Sequence, residues 1–353
     1  MSFASDNWAG AAPRVVEAVA AAFSGDPAPA YGTDATTKRA EAAISALFER
    51  ECAVFFLASG TAANGLALAH LTKPWGAVFC HAKSHVMASE CGGPEFFSGA
   101  KLIGVAGEAG KITPAGLEGA IGELRVGDPH SVQPGSLSLT NLTESGTAYT
   151  VAEVAALAAI AKRHAMGVHM DGARFANAIA RLGCMPADLT WRAGVDALSF
   201  GATKNGAIAA EAVVFFDPAL ARDFLFRRMR GGHLLSKHRF VSAQYEAWLA
   251  DGLWLDLARH ANAMADRLAT GLAARDLRLA WPVEGNEVFP ILPHALEATL
   301  GAAGHVFHRW PKAVPAGADA DVCRLVCSFR TTPAEVDAFL AAIDRAPRAL
   351  AAE

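Results

Sequence analysis

From about residue 36 onward, segments with helical periodicity alternate with short apolar runs, and this alternation restricts the fold more than any other feature of the chain. The helical patterns cover Thr36–Phe48, Thr61–Leu71 and Val151–His164. The apolar runs are Val54–Leu57, Val78–His81, Leu137–Asn141, Val168–Asp171, Ala197–Phe200 and Ala212–Phe216. Short apolar runs separated by helices read as strands buried on both faces, which predicts an α/β fold with a parallel or mixed sheet covered by helices on both sides. The long helical stretch Ser242–Leu272 changes the texture. Short strand candidates and a last helix, Pro333–Ala346, follow it. The expected organisation is a large domain over residues 1–241, including an N-terminal arm, and a smaller C-terminal α+β domain over residues 242–353.

With 353 residues, 52% of them apolar, the chain can bury a sizeable core. Much of that content is alanine, so a mean hydropathy of +0.24 does not signal a membrane protein. No uninterrupted apolar run of about 18 residues appears. A formal net charge of -4 gives no reason to expect nucleic acid or an anionic membrane as partner. The start, Met1 to Asp6, has neither the basic segment nor the apolar stretch of a secretory signal, and a cytoplasmic protein is expected. Cys52, Cys80, Cys91, Cys184, Cys323 and Cys327 are scattered and read as free thiols. No metal site is expected, since no Cys-x-x-Cys pair occurs and His81 with His85 falls short of a ligand set.

Three pieces carry chemistry. In Ser199-Phe-Gly-Ala-Thr-Lys-Asn-Gly206, Lys204 stands among small and apolar residues directly after a strand pattern. Lost hydration disfavours an ammonium, so a lysine there is suited to form a Schiff base with a carbonyl or with pyridoxal phosphate. Taken alone it reads first as an ordinary lysine capping a strand end, and the case rests on what lies upstream. Upstream, the apolar strand Met166–Met170 ends on Asp171 followed by Gly172. A carboxylate at the carboxyl end of a parallel strand lies where ligands bind, and there it can pair with a protonated pyridine nitrogen. Alone, Asp-Gly is a turn signal. Thirdly, Ala53–Ala69 reads as a strand, the turn Ser59-Gly60-Thr61 and an alanine-rich helix. The unpaired N–H groups of such a helix start suit a phosphate, although a plain helix cap has the same pattern. Phosphate cradle, ring-nitrogen carboxylate and lysine, in that chain order, together specify a cofactor, with pyridoxal 5'-phosphate the candidate.

On these residues the chain resembles the low-specificity L-threonine aldolases, pyridoxal phosphate enzymes of the aspartate-aminotransferase fold, fold type I. The resemblance extends through Ser5-Asp-Asn7, Tyr31-Gly-Thr-Asp34, Ser59–Asn64, Ser138–Asn141, Glu144–Thr147, His169–Phe175, Phe200–Gly206 and Leu235–Phe240. It implies retro-aldol cleavage of L-threonine, L-allo-threonine or related β-hydroxy-α-amino acids such as phenylserine to glycine and an aldehyde. A β-eliminating lyase or a serine hydroxymethyltransferase-like enzyme shares the lysine and the aspartate, and a non-catalytic regulator on the same fold is a third class.

The resemblance also implies roles. His85 stacks on the ring opposite Asp171 and is able to act as a base, where the residues alone leave a surface loop histidine equally open. His130 corresponds to a second histidine, one that contacts the substrate's β-hydroxyl. Arg174 reaches the cofactor's phenolic oxygen or the substrate carboxylate, unless it is a helix-start arginine in a salt bridge. Thr203 is a phosphate-binding hydroxyl. Arg324, in the apolar strand pattern Asp321–Cys327, needs an anionic partner, and the α-carboxylate fits a guanidinium; Arg330 is the competing choice, and Ser5 adds a hydroxyl. Lys237 and Arg239 reach a neighbouring subunit's phosphate, making a dimer the catalytic unit and a tetramer the expected assembly. His238 stands where an apolar residue is expected.

Overall fold

The computed structural model describes residues 2–310 and 319–346. A seven-stranded sheet forms its centre, running from edge to edge through Ala53–Leu57, Glu211–Phe215, Ala197–Gly201, Gly167–Gly172, Gln133–Thr140, Gly76–His81 and Lys101–Val105. The last five of these are mutually parallel, whereas Glu211–Phe215 runs antiparallel to both of its neighbours. The strands are apolar because both faces are covered: Ala197–Gly201 and Glu211–Phe215 are buried at every position. This is the α/β architecture expected from the alternation, and strand and helix limits agree with it to within a few residues.

The expected long helix over Ser242–Leu272 is two helices, Arg239–Leu249 and Leu253–Ala273. Between them Asp251 (φ 55) and Gly252 (φ 74) adopt left-handed backbone, which closes one helix and opens the next. The expected domain boundary at residue 241 falls inside the first of these helices. Its Tyr245 and Trp248 belong to the core of the large sheet, as do Trp254 and Ala258, and the second core begins at Ala265. The change of core therefore comes part-way along Leu253–Ala273. That second core is built on the antiparallel strand Ala320–Val326, which pairs with Glu287–Val288, Ile291–Pro293 and His308–Arg309 and is covered by Pro333–Asp344. The N-terminal arm is pinned to it. Phe3 is buried there, its N–H donates to the Val306 carbonyl at 2.8 Å, and its carbonyl accepts from Val326 N–H at 2.8 Å. No helix among the described residues is long and apolar enough to cross a membrane.

The Tyr31–Asp34 segment owes its place to capping. Asp34, buried at the start of helix Ala35–Leu47, accepts from the Thr37 N–H at 2.9 Å and from the Thr37 hydroxyl at 2.8 Å. That hydroxyl also contacts Ser242 Oγ at 2.8 Å, tying the cap to helix Arg239–Leu249. Asp34→Ala removes the cap acceptor and leaves buried donors unpaired, so it should destabilise the fold by about 1–2 kcal/mol. Thermal unfolding followed by circular dichroism checks this; an unchanged midpoint would contradict the capping role.

Candidate active site

Four parallel strands end at one edge, and their last residues or the loops just beyond them line a cavity of about 440 Å³. Gln133–Thr140 brings Thr140, Gly167–Gly172 brings Asp171, Ala197–Gly201 brings Ser199 and the turn Thr203–Asn205, and Gly76–His81 leads to His85. Small-domain residues Glu287, Trp310 and Arg324 close the other side, with Ser5 and Asn7 from the arm.

Ser59, Gly60 and Thr61 form one wall. The Ser59 hydroxyl caps helix Gly60–Leu71 by accepting from Ala62 N–H at 3.3 Å. This leaves the N–H groups of the helix start facing an anion-sized space. Thr203 lies beside them, its hydroxyl paired with both the carbonyl (3.3 Å) and the N–H (3.1 Å) of Ala210. Lys204 is half-buried on the turn after the strand. The residue following it is clamped: Asn205 donates to the Trp254 carbonyl and accepts from Trp248 Nε1, each at 2.7 Å.

Asp171 is buried, with Oδ1 accepting from Ala173 N–H at 3.0 Å and Oδ2 from the Asn64 amide at 2.9 Å. The same Asn64 nitrogen donates to Glu90 Oε1 at 2.9 Å, and that oxygen lies 2.8 Å from His85 Nδ1. A chain of polar contacts thus joins Asp171, Asn64, Glu90 and His85. Burial raises the Glu90 pKa, with the Asp171 carboxylate adding to it and His85 and Asn64 opposing. Glu144 accepts the His85 backbone N–H at 2.5 Å; burial, reinforced by Asp171, pushes its carboxyl up to about 7. Behind Asp171, His169 is held between Ser138 Oγ (3.0 Å) and Ser199 Oγ (2.9 Å), and burial lowers its pKa to about 4. Asn64 Oδ1 and Glu90 Oε2 are buried without a partner among the described residues.

On the small-domain side, Arg174 lines the cavity with its guanidinium already engaged. It meets Asp6 through Nε (2.8 Å) and Nη2 (3.0 Å), and Glu287 through Nη1 (3.3 Å). Burial would raise the Asp6 pKa, but Arg174 and Lys204 hold it below the usual carboxylate range. The salt-bridge alternative for Arg174 is therefore what the structure contains, at a place that also faces the cavity. Arg324 stacks on Trp310, 4.4 Å from the ring centroid, donates to the Ala4 carbonyl at 3.2 Å and comes no nearer than 3.9 Å to Glu287. Its Nε is buried without a partner among the described residues, and Glu287 stands at the long limit of an ion pair, which leaves the guanidinium able to take a further anion in the cavity. Ser5 lines the same end.

The structure gathers Ser5, Ser59, Gly60, Thr61, His85, Asp171, Arg174, Thr203, Lys204 and Arg324 around one cavity. It does not bring His130 there. That residue precedes strand Gln133–Thr140, so it stands at the amino end of a strand whose carboxyl end faces the cavity, about 25 Å away at strand rise. Its side chain is 82% exposed and hydrogen-bonded to Asp128 at 3.0 Å, and the expected contact with a substrate hydroxyl is not made within its own chain. Lys237 is exposed and Arg239 donates to the carbonyls of Ala22 (2.9 Å) and Ala28 (3.4 Å), so neither lines this chain's cavity. His238 is buried against Phe56, in the manner of the apolar residue expected there. Sequence reasoning assigned no role to Asn64, Glu90, Glu144, Glu211 or Glu287. A lone carboxylate within the apolar run Ala207–Phe216 was the available signal for Glu211; the others depend on tertiary placement.

The residues present fit pyridoxal phosphate: a helix start, a carboxylate supported by two donors and a lysine line one cavity. Comparisons with known proteins agree. The model of the β-eliminating lyase family matches residues 2–294. The low specificity L-threonine aldolase of Pseudomonas sp. (strain NCIMB 10558) is 42% identical over 336 residues, covering 95% of this chain and 94% of that protein. Its namesake from Pseudomonas aeruginosa is 45% identical over 308 residues, covering 87% and 88%. A threonine aldolase structure from Leishmania major superposes with a TM-score of 0.91 at 30% identity over 98% of both chains. Serine palmitoyltransferase from Sphingomonas wittichii, at 18% identity and a TM-score of 0.74, shares the fold. The chain accordingly belongs to the threonine aldolases of the β-eliminating lyase family, on the pyridoxal phosphate fold type I scaffold.

Proposed function

We propose that this protein cleaves L-threonine, L-allo-threonine and related β-hydroxy-α-amino acids such as phenylserine to glycine and an aldehyde. The observation that carries the reading is the placement of Lys204, Asp171, His85 and the Ser59–Thr61 helix start around a single cavity that Arg324 enters from the small domain. Pyridoxal phosphate, when bound, supplies the electron sink for the charge left at Cα as the Cα–Cβ bond breaks.

The chain's own groups do the rest. The N–H groups at Gly60 and Thr61, with the Ser59, Thr61 and Thr203 hydroxyls, hold the phosphate. Asp171 keeps a proton at the ring nitrogen, its own oxygens fixed by Ala173 and Asn64. Lys204 presents the amine that tethers the cofactor. Arg324 clamps the α-carboxylate, with Ser5 at the same end. His85 lines the cavity where it would lie against one face of the ring. Glu90 accepts from Nδ1 and so leaves Nε2 as the basic nitrogen, the one suited to take the β-hydroxyl proton. His130 is not needed for this role from its own chain. Lys237 and Arg239 complete the phosphate site of a second copy, which makes a dimer the catalytic unit; pairing of dimers gives the tetramer.

The deciding assay measures glycine and aldehyde release from threonine, allo-threonine and phenylserine without added folate. Stoichiometric release of both products is expected, whereas pyruvate or another α-keto acid with ammonia would point to β-elimination instead. Asp171→Asn should retain cofactor poorly and lose most turnover, because an amide does not hold the ring proton; near-normal rates would exclude the role. Glu90→Gln should lower kcat by about 10–100-fold, less than the 10²–10⁴-fold of losing a general base outright. Its KM and cofactor content should stay near those of the parent enzyme, and an unchanged kcat would remove Glu90 from the base's support. Arg239→Ala should weaken cofactor retention, and mixing it with Lys204→Ala should restore part of the activity through hybrid dimers. A fully active monomer in sedimentation would contradict the shared site.

A further inference from the structure

Strand Glu211–Phe215 is antiparallel to both of its neighbours, so it begins at the edge where they end. Its first residue, Glu211, lies opposite Leu57 in one neighbour and Gly201 in the other. Those two residues lead directly into the Ser59–Thr61 helix start and the Thr203–Asn205 turn. The rest of the strand, Ala212 to Phe215, is apolar and fully buried. A carboxyl group is thereby placed on the floor of the phosphate seat. A Cβ on Gly201 would stand only 2.9 Å from Glu211 Oε2, so the glycine there leaves the carboxyl room to lie against the backbone, and a Cβ on Gly60 would meet the same oxygen at an ordinary 3.8 Å.

A carboxylate is the wrong charge for this position. The helix-start N–H groups, the Ser59 and Thr61 hydroxyls and Lys204 are donors suited to an anion; an ionised Glu211 beside a phosphate is a like-charge pair, whereas a protonated Glu211 is one more donor. We propose that Glu211 is the proton-bearing ligand of the cofactor's phosphate: it carries a proton while the phosphate is seated, and it is the carboxylate counter-ion of Lys204 when the seat is empty. The inference rests on the phosphate seat assigned above. The proton comes from solvent on binding and returns to it on release, and no other bond is made or broken.

The surroundings support a group poised between the two forms. Burial is the main influence and pushes Glu211 up to about 7; hydrogen bonds from Thr203 and the charge of Lys204 oppose it, and Asp171 adds to it. Tyr245, from helix Arg239–Leu249, also faces it and is itself held neutral by burial. From the loop after the first strand and the helix that follows, the Ser59 and Thr61 hydroxyls and the Asn64 amide line the same cavity.

The test titrates the full chain, freed of cofactor, with pyridoxamine 5'-phosphate, which has no aldehyde to react with Lys204. Calorimetry at pH 6 to 8.5 in buffers of different ionisation enthalpy reads the protons exchanged. The parent protein should take up close to one proton per site near pH 8, and pyridoxamine without the phosphate should draw none. In Glu211→Gln the uptake should vanish, and the ratio of parent to variant Kd should rise about 30-fold between pH 6 and 8.5. Ionisation of the ligand's own phosphate, near pH 6, is common to both proteins and cancels in that ratio. Equal uptake and equal pH slopes in the two proteins would overturn the inference alone. If neither protein bound the probe, the cofactor seat itself would fall, and the inference with it. Should the variant not fold, uptake by the parent protein decides: none near pH 8 would overturn the proposal.

Discussion

Keeping charge out of water around one cavity is the constraint on which the rest of this structure depends. Five carboxyl groups, Glu90, Glu144, Asp171, Glu211 and Glu287, line a space that Lys204, Arg174 and Arg324 also enter. Each would be costly there without a partner. Asp171 is fixed by Ala173 and Asn64, and Glu287 shares Arg174 with Asp6. Glu90, Glu144 and Glu211 are instead pushed toward their neutral forms by burial. Among the described residues, Arg324 Nε, Asn64 Oδ1 and one oxygen each of Glu90, Glu144 and Glu287 are buried there without a hydrogen-bond partner.

The fold makes this crowding possible by dividing the work between its two parts. Parallel strands deliver Asp171, Ser199 and the Lys204 turn to one edge at fixed spacing, and the aromatic packing of Phe200, Trp248 and Trp254 holds that turn from behind. The small domain brings Glu287, Trp310 and Arg324 from the opposite side. The arm joins the two: Phe3 is bonded into the small-domain sheet while Asp6, three residues later, grips Arg174 of the large domain. Ser5 is held between these anchors, which is why a residue so near the chain start occupies a defined position at the cavity.

Much of this was legible in the sequence, for reasons that differ by element. Buried parallel strands are short apolar runs, and Asp171 and Lys204 are polar residues at the ends of such runs, so both strand limits and site edge could be read locally. At Asp251-Gly252 the apolar periodicity continues on either side of the break, so the sequence reads as one helix although the dipeptide itself favours a turn. His130 precedes an apolar run whose direction a sequence does not state, and only the direction of strand Gln133–Thr140 shows that it stands at the end away from its own chain's cavity. Glu90 stands five residues after His85 on a short irregular stretch with no periodicity, and its partnership with Asn64 and Asp171 needs three separate elements to meet. Glu211 differs again, because its meaning depends on one strand running against its neighbours, and strand direction is not written in a run of apolar residues.

The central claim is that the edge formed by Asp171, the Ser59–Thr61 helix start and Lys204 is where the cofactor is covalently held. Reduction of the cofactor-loaded protein with borohydride, followed by peptide mapping, tests it directly. A single pyridoxyl-modified peptide carrying the label on Lys204 is expected, in a yield matching the cofactor content. Label on any other lysine, or loaded protein from which reduction traps none, would contradict it.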